Sequence, residues 1–300
     1  MEENTKELKI TKCALNNINT QDHYTCFSKK ELISIINAYN ETNEDSKDFT
    51  LCSKKVCIHK GFIKVNDTDT TKDLWYKIYD TLKPICKDES CWIDLDFIKK
   101  ISHKDLRDKL RYYTFKPKFY YRQDNWLTTT DINDIMKQIV YKYKYKNFYY
   151  IGTEPCDFYK ITSKVFSNKK MYTSKMVGII FNLDTHDKPG SHWTSMLIDN
   201  DTRTFYYFDS VGNEPNKHIK EFIKKYIKNY LQYNTKNQSN DDLFTVYINK
   251  KVHQKGNSEC GIYSIYFIMN KLKDTTQPIN NKRITDKNMK DFRKYLFAIN

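Results

Sequence analysis

The stretch HQKGNSECGIYSIYFI, residues 253–268, changes character at a single residue. Before Cys260 the chain is polar and flexible. After it, apolar residues recur at helical spacing, so a buried helix is expected over residues 260–272. A cysteine that opens a helix stands at the positive end of the helix dipole, which favours the thiolate form. Gly261, directly after it, lets backbone or a substrate come close. A core cysteine at a helix start would share this local sequence. A catalytic reading therefore needs partners elsewhere in the chain.

The partner of a nucleophilic thiol is an imidazole, and seven histidines are candidates. His23, His59 and His103 lie in an N-terminal region of different texture. His218 sits among lysines, His186 in the polar loop DTHDKPG, and His253 too close to Cys260 in the chain to turn back to it. His192, which follows Pro189-Gly190 and begins a strand, is the best placed. The segments HWTSMLID (192–199) and TFYYFDS (204–210) are rich in β-branched and aromatic residues and flank Asn200-Asp201, so they form an antiparallel hairpin. A turn there pairs residues whose numbers sum to about 401, which sets His192 opposite Asp209. A carboxylate in that place orients the imidazole and stabilises its cation. For the oxyanion of an acyl transfer, the side-chain amides of Gln254 and Asn257 are both candidates, with Gln254 preferred.

Around this constellation, MVGIIFN (176–182) and LFTVYIN (243–249) read as further strands. An amphipathic helix carries Ile219, Phe222, Ile223, Tyr226, Ile227 and Tyr230 on its apolar face and a lysine stripe opposite. RITDKNMKDFRKYLF (283–297) closes the chain as a helix capped near Thr285. Towards the N-terminus, Ser28 and Glu31 make a capping box ahead of Leu32, Ile35, Ile36 and Tyr39. Helices are also expected through Leu74–Leu82, from Trp92 to Ile98, and after a cap at Thr130. The stretch FKPKFYYRQDN (115–125) marks a boundary between a helical N-terminal domain, residues 1–115, and a catalytic domain, residues 116–300. Strands in one block with helices on either side indicate an α+β fold.

Composition narrows the classes. Glycine and proline are scarce, no window of 18 apolar residues exists, and the N-terminus has no apolar leader segment, so a soluble chain without membrane association is expected. Six of the eight cysteines lie in the first hundred residues, where reduced, buried thiols are the expectation. Their C-x4-C spacing lacks the tight knuckles of a zinc site, so no metal is assigned. The net charge is +14, and residues 216–300 carry 17 Lys and Arg against 7 Asp and Glu. Such a surface suits DNA or another polyanion, or a solubilising coat.

The order His…Asp…Gln…Cys, carried by GSHW (190–193), YYFDS (206–210) and the Q-x5-CG of Gln254 to Gly261, resembles the SUMO-specific and adenoviral cysteine proteases. GSHWTSMLID, YFDSVGNEP, HQKGNSECGIYS, RITDKNMKDFRKYLF and the N-terminal CFSKKEL resemble more closely the polyprotein-processing proteases of large DNA viruses, the African swine fever virus type. That type has Asn where this chain has Asp209, the choice of the SUMO proteases.

The resemblance implies a central mixed sheet flanked by helices, with His192, Asp209 and Cys260 as triad and Gln254 as oxyanion donor. It implies no cofactor, cleavage after Gly-Gly or similar small residues, and a narrow tunnel walled by Trp193 and Trp126, with Asn257 and Gly261 beside the substrate. The expected activity is a cysteine endopeptidase acting on polypeptides with Gly-Gly-X sites, processing structural polyproteins in the host cytoplasm and virion. The rivals are an isopeptidase that removes ubiquitin-like modifiers from host proteins, an acetyl transferase on a similar arrangement, and a basic DNA-associated virion protein.

Overall fold

The computed structural model describes residues 12–15, 25–44, 50–53, 56–59, 61–119, 125–162, 164–234, 244–274 and 282–299. The chain divides into two compact units, Met1–Lys118 with Leu296–Ile299, and Phe119–Tyr295. The last residues thus return to the first unit, where the Ala298 N–H donates to the Pro117 carbonyl.

In the first unit, helix α1 (Lys29–Glu44) starts at the expected capping box: Glu31 accepts from the Ser28 N–H at 2.7 Å, and its own N–H donates to the Ser28 hydroxyl. A hairpin of β1 (Thr50–Ser53) and β2 (Val56–His59) follows, then α2 (Thr71–Leu82) and α3 (Lys104–Tyr113). The hairpin is an addition to the mainly helical unit expected from the sequence. The segment around Trp92 is two 3-10 turns, Glu89–Asp94 and Asp96–Lys100, because each turn closes on i+3 bonds such as Leu95 to Trp92. Leu32, Ile35, Ile36, Leu74, Ile78, Leu82, Trp92 and Phe97 form one core. Glu89 is buried beneath it and accepts from the Thr25 hydroxyl, the Cys26 N–H and the Trp75 indole.

The expectation of reduced thiols is corrected here. Cys13 is paired with Cys26 and Cys86 with Cys91, at Cα separations of 5.2 and 5.9 Å, within the reach of a disulfide. Cys52 faces Cys57 in the hairpin register, with side chains outside the described residues, as is His23. No group of three or more metal-ligating side chains occurs among the described residues.

The second unit opens with α4 (Thr129–Lys142), whose cap is Thr128 rather than Thr130. The reason is Asp131: three residues after Thr128, it returns the capping bond and completes a box. Five strands then build one sheet in sequence order: β3 (Phe148–Pro155), β4 (Met176–Asn182), β5 (Trp193–Asp199), β6 (Thr204–Phe208) and β7 (Thr245–Ile248). The outer pairs are parallel and the inner two antiparallel, a mixed sheet. Helix α5 (Lys217–Tyr233) lays Ile219, Phe222, Ile223 and Tyr226 onto one face. Helix α6 (Cys260–Lys273) packs on β5 from the other side, beside α4, and α7 (Asp286–Leu296) closes the unit. The α+β class read from the sequence is the observed one. Among the described residues no helix is long and apolar enough to cross a membrane.

The hairpin that carries the site has a different register from the expected one. It pairs Ser195 with Phe208 and Asp199 with Thr204, leaving a four-residue loop instead of a two-residue turn. Asp199 accepts from the Asp201 and Thr202 N–H groups, and Arg203 takes a left-handed φ of 51°, which together close the longer loop. The displacement is two residues along the strand. Side chains therefore keep their faces, and Asp209 lies diagonal to His192 rather than opposite it.

Asn200, at the start of this loop, is buried and holds three elements. Its amide donates to the Met171 and Ser174 carbonyls at 2.9 and 2.7 Å and accepts from the Tyr226 hydroxyl at 3.0 Å. Replacing Asn200 by Ala would strand these buried partners. A loss of about 3 kcal/mol in unfolding free energy is expected, visible as a lower urea midpoint with unchanged slope.

Candidate active site

His192 enters from a loop shaped by short-range polar bonds. Gly190 has φ +102°, a conformation that favours glycine, and a Cβ there would stand 2.4 Å from the Asn182 amide nitrogen. Asn182 accepts from the Asp184 and Ser191 N–H groups, and the Ser191 hydroxyl donates to Asp184. Further out, Asp157 accepts both the backbone N–H and the ring Nδ1–H of His186. The His192 carbonyl receives the Leu183 N–H at 2.9 Å, so the imidazole is fixed at the mouth of β5.

Asp209 follows β6 and is fully buried. Its Oδ1 accepts from His192 Nε2 at 2.8 Å and from the Val211 N–H at 2.9 Å. Its carbonyl takes the Asn249 amide at 2.7 Å, which locks the strand end. With Nε2 on the carboxylate, Nδ1 is the nitrogen left to face Cys260, whose sulfur lies close enough to help raise the pKa of the ring. Burial opposes the imidazolium, but the hydrogen bonds of Asp209 and Cys260 and their negative charge outweigh it. The result is an imidazole pushed up from 6.5 to about 9.

Cys260 is the first residue of α6 and is 1 % exposed. Its backbone N–H therefore belongs to the first turn, where helical donors lack an intrahelical partner. Gln254 is buried nearby in the chain, with its amide oriented from both ends. The Ser210 hydroxyl donates to Oε1 at 2.7 Å, and Nε2 donates to the Gly256 carbonyl at 2.9 Å. One Nε2 hydrogen remains for another acceptor. Asn257 is exposed. Ser210, immediately after Asp209, is the residue that orients the Gln254 amide, and the sequence reading did not single it out. Its signal was a hydroxyl beside the candidate carboxylate in YYFDS.

His253 does not approach Cys260 as a base. It is fully buried against Phe208, and its Nδ1 accepts from the Ile284 N–H at 3.1 Å. Burial, followed by the positive charges of Lys251 and Arg283, pushes its pKa down and keeps it neutral. Trp193 is buried, and its indole donates to the Leu127 carbonyl at 2.9 Å. A Cβ on Gly261 would meet Leu127 Cβ at 3.2 Å and Trp193 Cδ1 at 3.3 Å, so the glycine is what lets the three elements close up. Trp126, next to Leu127, is 43 % exposed. It stands as a surface indole beside this junction, not as core packing.

Residues 95–300 match the family described as Ulp1 protease family, C-terminal catalytic domain. A thiol protease of Acanthamoeba polyphaga mimivirus is 31% identical over 269 residues, covering 87% of this chain and 84% of that protein. A cysteine protease of African swine fever virus is 26% identical over 237 residues, covering 71% of this chain and 84% of that protein. In three dimensions, a crystal structure of the African swine fever virus protease superposes with a TM-score of 0.59 at 19% identity and covers 97% of both chains. This last likeness is one of fold.

The raised His192 pKa has a consequence for stability. Its contribution is present in full below pH 6.5 and is lost as pH rises through about 9. A ring titration near pH 9 is expected by NMR, moving down toward the ordinary histidine range in Asp209→Asn. A titration unaffected by that substitution would contradict the pairing.

Proposed function

The chain belongs to the Ulp1 protease family and is a cysteine peptidase, and from that premise we propose that it is an endopeptidase cleaving after Gly-Gly-like motifs. The observation that carries the proposal is the convergence of His192, Asp209 and Cys260 beside the junction of Gly261, Leu127 and Trp193. Cys260 attacks the scissile carbonyl as thiolate, forming the carbon–sulfur bond and a tetrahedral oxyanion. The Cys260 N–H and the remaining Gln254 amide hydrogen stabilise that oxyanion. His192 gives its proton to the leaving amine as the peptide bond breaks. It then takes a proton from the water that hydrolyses the thioester, and Asp209 holds the ring throughout.

The preference for glycine is carried by the family likeness. Gly261 lets Leu127 and Trp193 pack directly against the start of α6, and the Trp126 ring, 43 % exposed, is free to line the approach of an extended substrate. The relatives matched are proteases of large DNA viruses, which supports processing of viral structural polyproteins in the host cytoplasm and virion as the setting. Lys217, Lys220, Lys224, Lys225 and Lys228 are exposed on α5, and they support contact with packaged DNA through salt-sensitive phosphate interactions.

The test is a side-by-side assay on Gly-Gly-X peptides and on SUMO and ubiquitin conjugates. Peptide cleavage between the second glycine and X is expected, and Cys260→Ala should lower it by roughly 10^4-fold or more. Rapid cleavage of conjugates with none of the peptides would replace the endopeptidase reading by an isopeptidase one. Trp126→Ala is expected to raise KM several-fold with a small change in thermal midpoint, since Trp126 is a 43 % exposed surface residue outside the buried core.

A further inference from the structure

Arg293, on α7, is among the largest fully buried side chains, at 1 % exposure. Its Nη1 donates to the Asn125 carbonyl at 2.8 Å and its Nη2 to the Ser258 carbonyl at 3.1 Å, while the guanidinium lies 5.1 Å from the centre of the Phe119 ring. The two carbonyls belong to segments far apart in the chain. Asn125 immediately precedes Trp126, and Ser258 stands two residues before Cys260. On the other side of Trp126, the Leu127 carbonyl receives the Trp193 indole. Segment 125–127 is therefore suspended between an arginine tied to the nucleophile's loop and a tryptophan adjacent to His192.

The same C-terminal segment grips the rest of that loop. Asp286 accepts from the Lys255 and Gly256 N–H groups, each at 3.1 Å, and from the Tyr263 hydroxyl at 3.0 Å. The Gly256 carbonyl in turn receives the Gln254 amide. Arg283 donates to the His253 carbonyl at 2.9 Å. The loop that carries Gln254 and leads to Cys260 is thus set from outside by α7 and the residues just before it.

We infer that Arg293 is a positioning residue that fixes the spacing between the Trp126–Leu127 wall and the Cys260 loop, and so the width of the cleft through which an extended substrate reaches the thiolate. This rests on the reading of Cys260 as nucleophile and Trp126 as substrate wall. An arginine suits the task because its planar fork reaches two carbonyls at once. Lysine's donors all radiate from one nitrogen, so it lacks the pair of separated, coplanar donor atoms that reaches the two carbonyls here. The charge stays while the bracket is lost.

The experiment compares two reagents on wild type, Arg293→Lys and Asp286→Asn: iodoacetamide, which is small and needs only the thiolate and local access to the sulfur, and a Gly-Gly vinyl electrophile, which must thread the cleft. For Arg293→Lys the second rate is expected to fall at least tenfold, while iodoacetamide alkylation of Cys260 and its pH profile stay within twofold. A parallel fall of both rates would reduce Arg293 to a structural residue, and no change in either would remove it from the site altogether. Amide hydrogen exchange reads the bracket without any substrate. Faster exchange confined to residues 125–128 and 255–260 is expected in both variants, and unchanged exchange there overturns the inference. A wild type that reacts no faster with the Gly-Gly probe than with iodoacetamide would count against the specificity reading, and the exchange result would still decide on Arg293.

Discussion

The site depends on one hydrogen bond, from His192 Nε2 to the buried carboxylate of Asp209. A carboxylate with no exposure is costly unless it is paired, and here the imidazolium and the Val211 N–H provide the pairing. The same bond consumes Nε2 and so turns Nδ1 towards the sulfur. It also dictates where the two strands must end. Asp209 has to leave β6 just where His192 enters β5, and the Asn249 amide on the Asp209 carbonyl holds that exit in place. Charge, orientation and strand termination are one constraint seen at three levels.

Around that bond the groups proposed to hold the oxyanion are set by neighbours in the chain. Ser210, next to Asp209, turns the Gln254 amide so that its nitrogen faces away from the hydroxyl. The backbone N–H groups of His253 and Gln254 both donate to the Ser210 carbonyl, at 2.8 and 2.9 Å. One short segment, 209–210, therefore positions both the histidine and the amide donor. A neutral His253, capped by the Ile284 N–H, fills the space beneath without competing for the thiol's proton. A second imidazolium there would repel the one the mechanism needs.

Much of this was legible because it is local. The polar-to-apolar switch at Cys260, the strand composition around His192 and Asp209, and the capping box at Ser28 are all written within a few residues of where they act. The observed hairpin register lies two residues from the expected one, and His192 still meets Asp209 because β-strand faces repeat every two residues. Strand β3 escaped because FYYIGTEP contains Gly152 and Pro155, alternates poorly, and pairs in parallel with β4 across a bulge. Disulfide pairing of Cys13 with Cys26 needs the fold to bring their backbones to 5.2 Å, which spacing does not reveal. Arg293 and Asp286 carry no local signal beyond their place in the closing helix. Their partners at Asn125, Ser258, Lys255 and Gly256 lie 30 to 168 residues away, and only the fold brings them near.

Among the described residues two cysteines are free, Cys156 and Cys260, and both are buried. They differ in surroundings. Burial pushes the Cys156 thiol up, and its sulfur donates to the Leu183 carbonyl at 3.1 Å, whereas Cys260 opens a helix against an imidazole. The direct measurement is to label the whole protein at neutral pH with a Gly-Gly-derived electrophile at one equivalent and map the modified thiol by peptide mass spectrometry. Label on Cys260 alone, lost in His192→Ala, is the expected result. Label on Cys156 or on any cysteine of the first unit, or label on Cys260 indifferent to His192, would contradict a thiolate activated by the Asp209-held histidine.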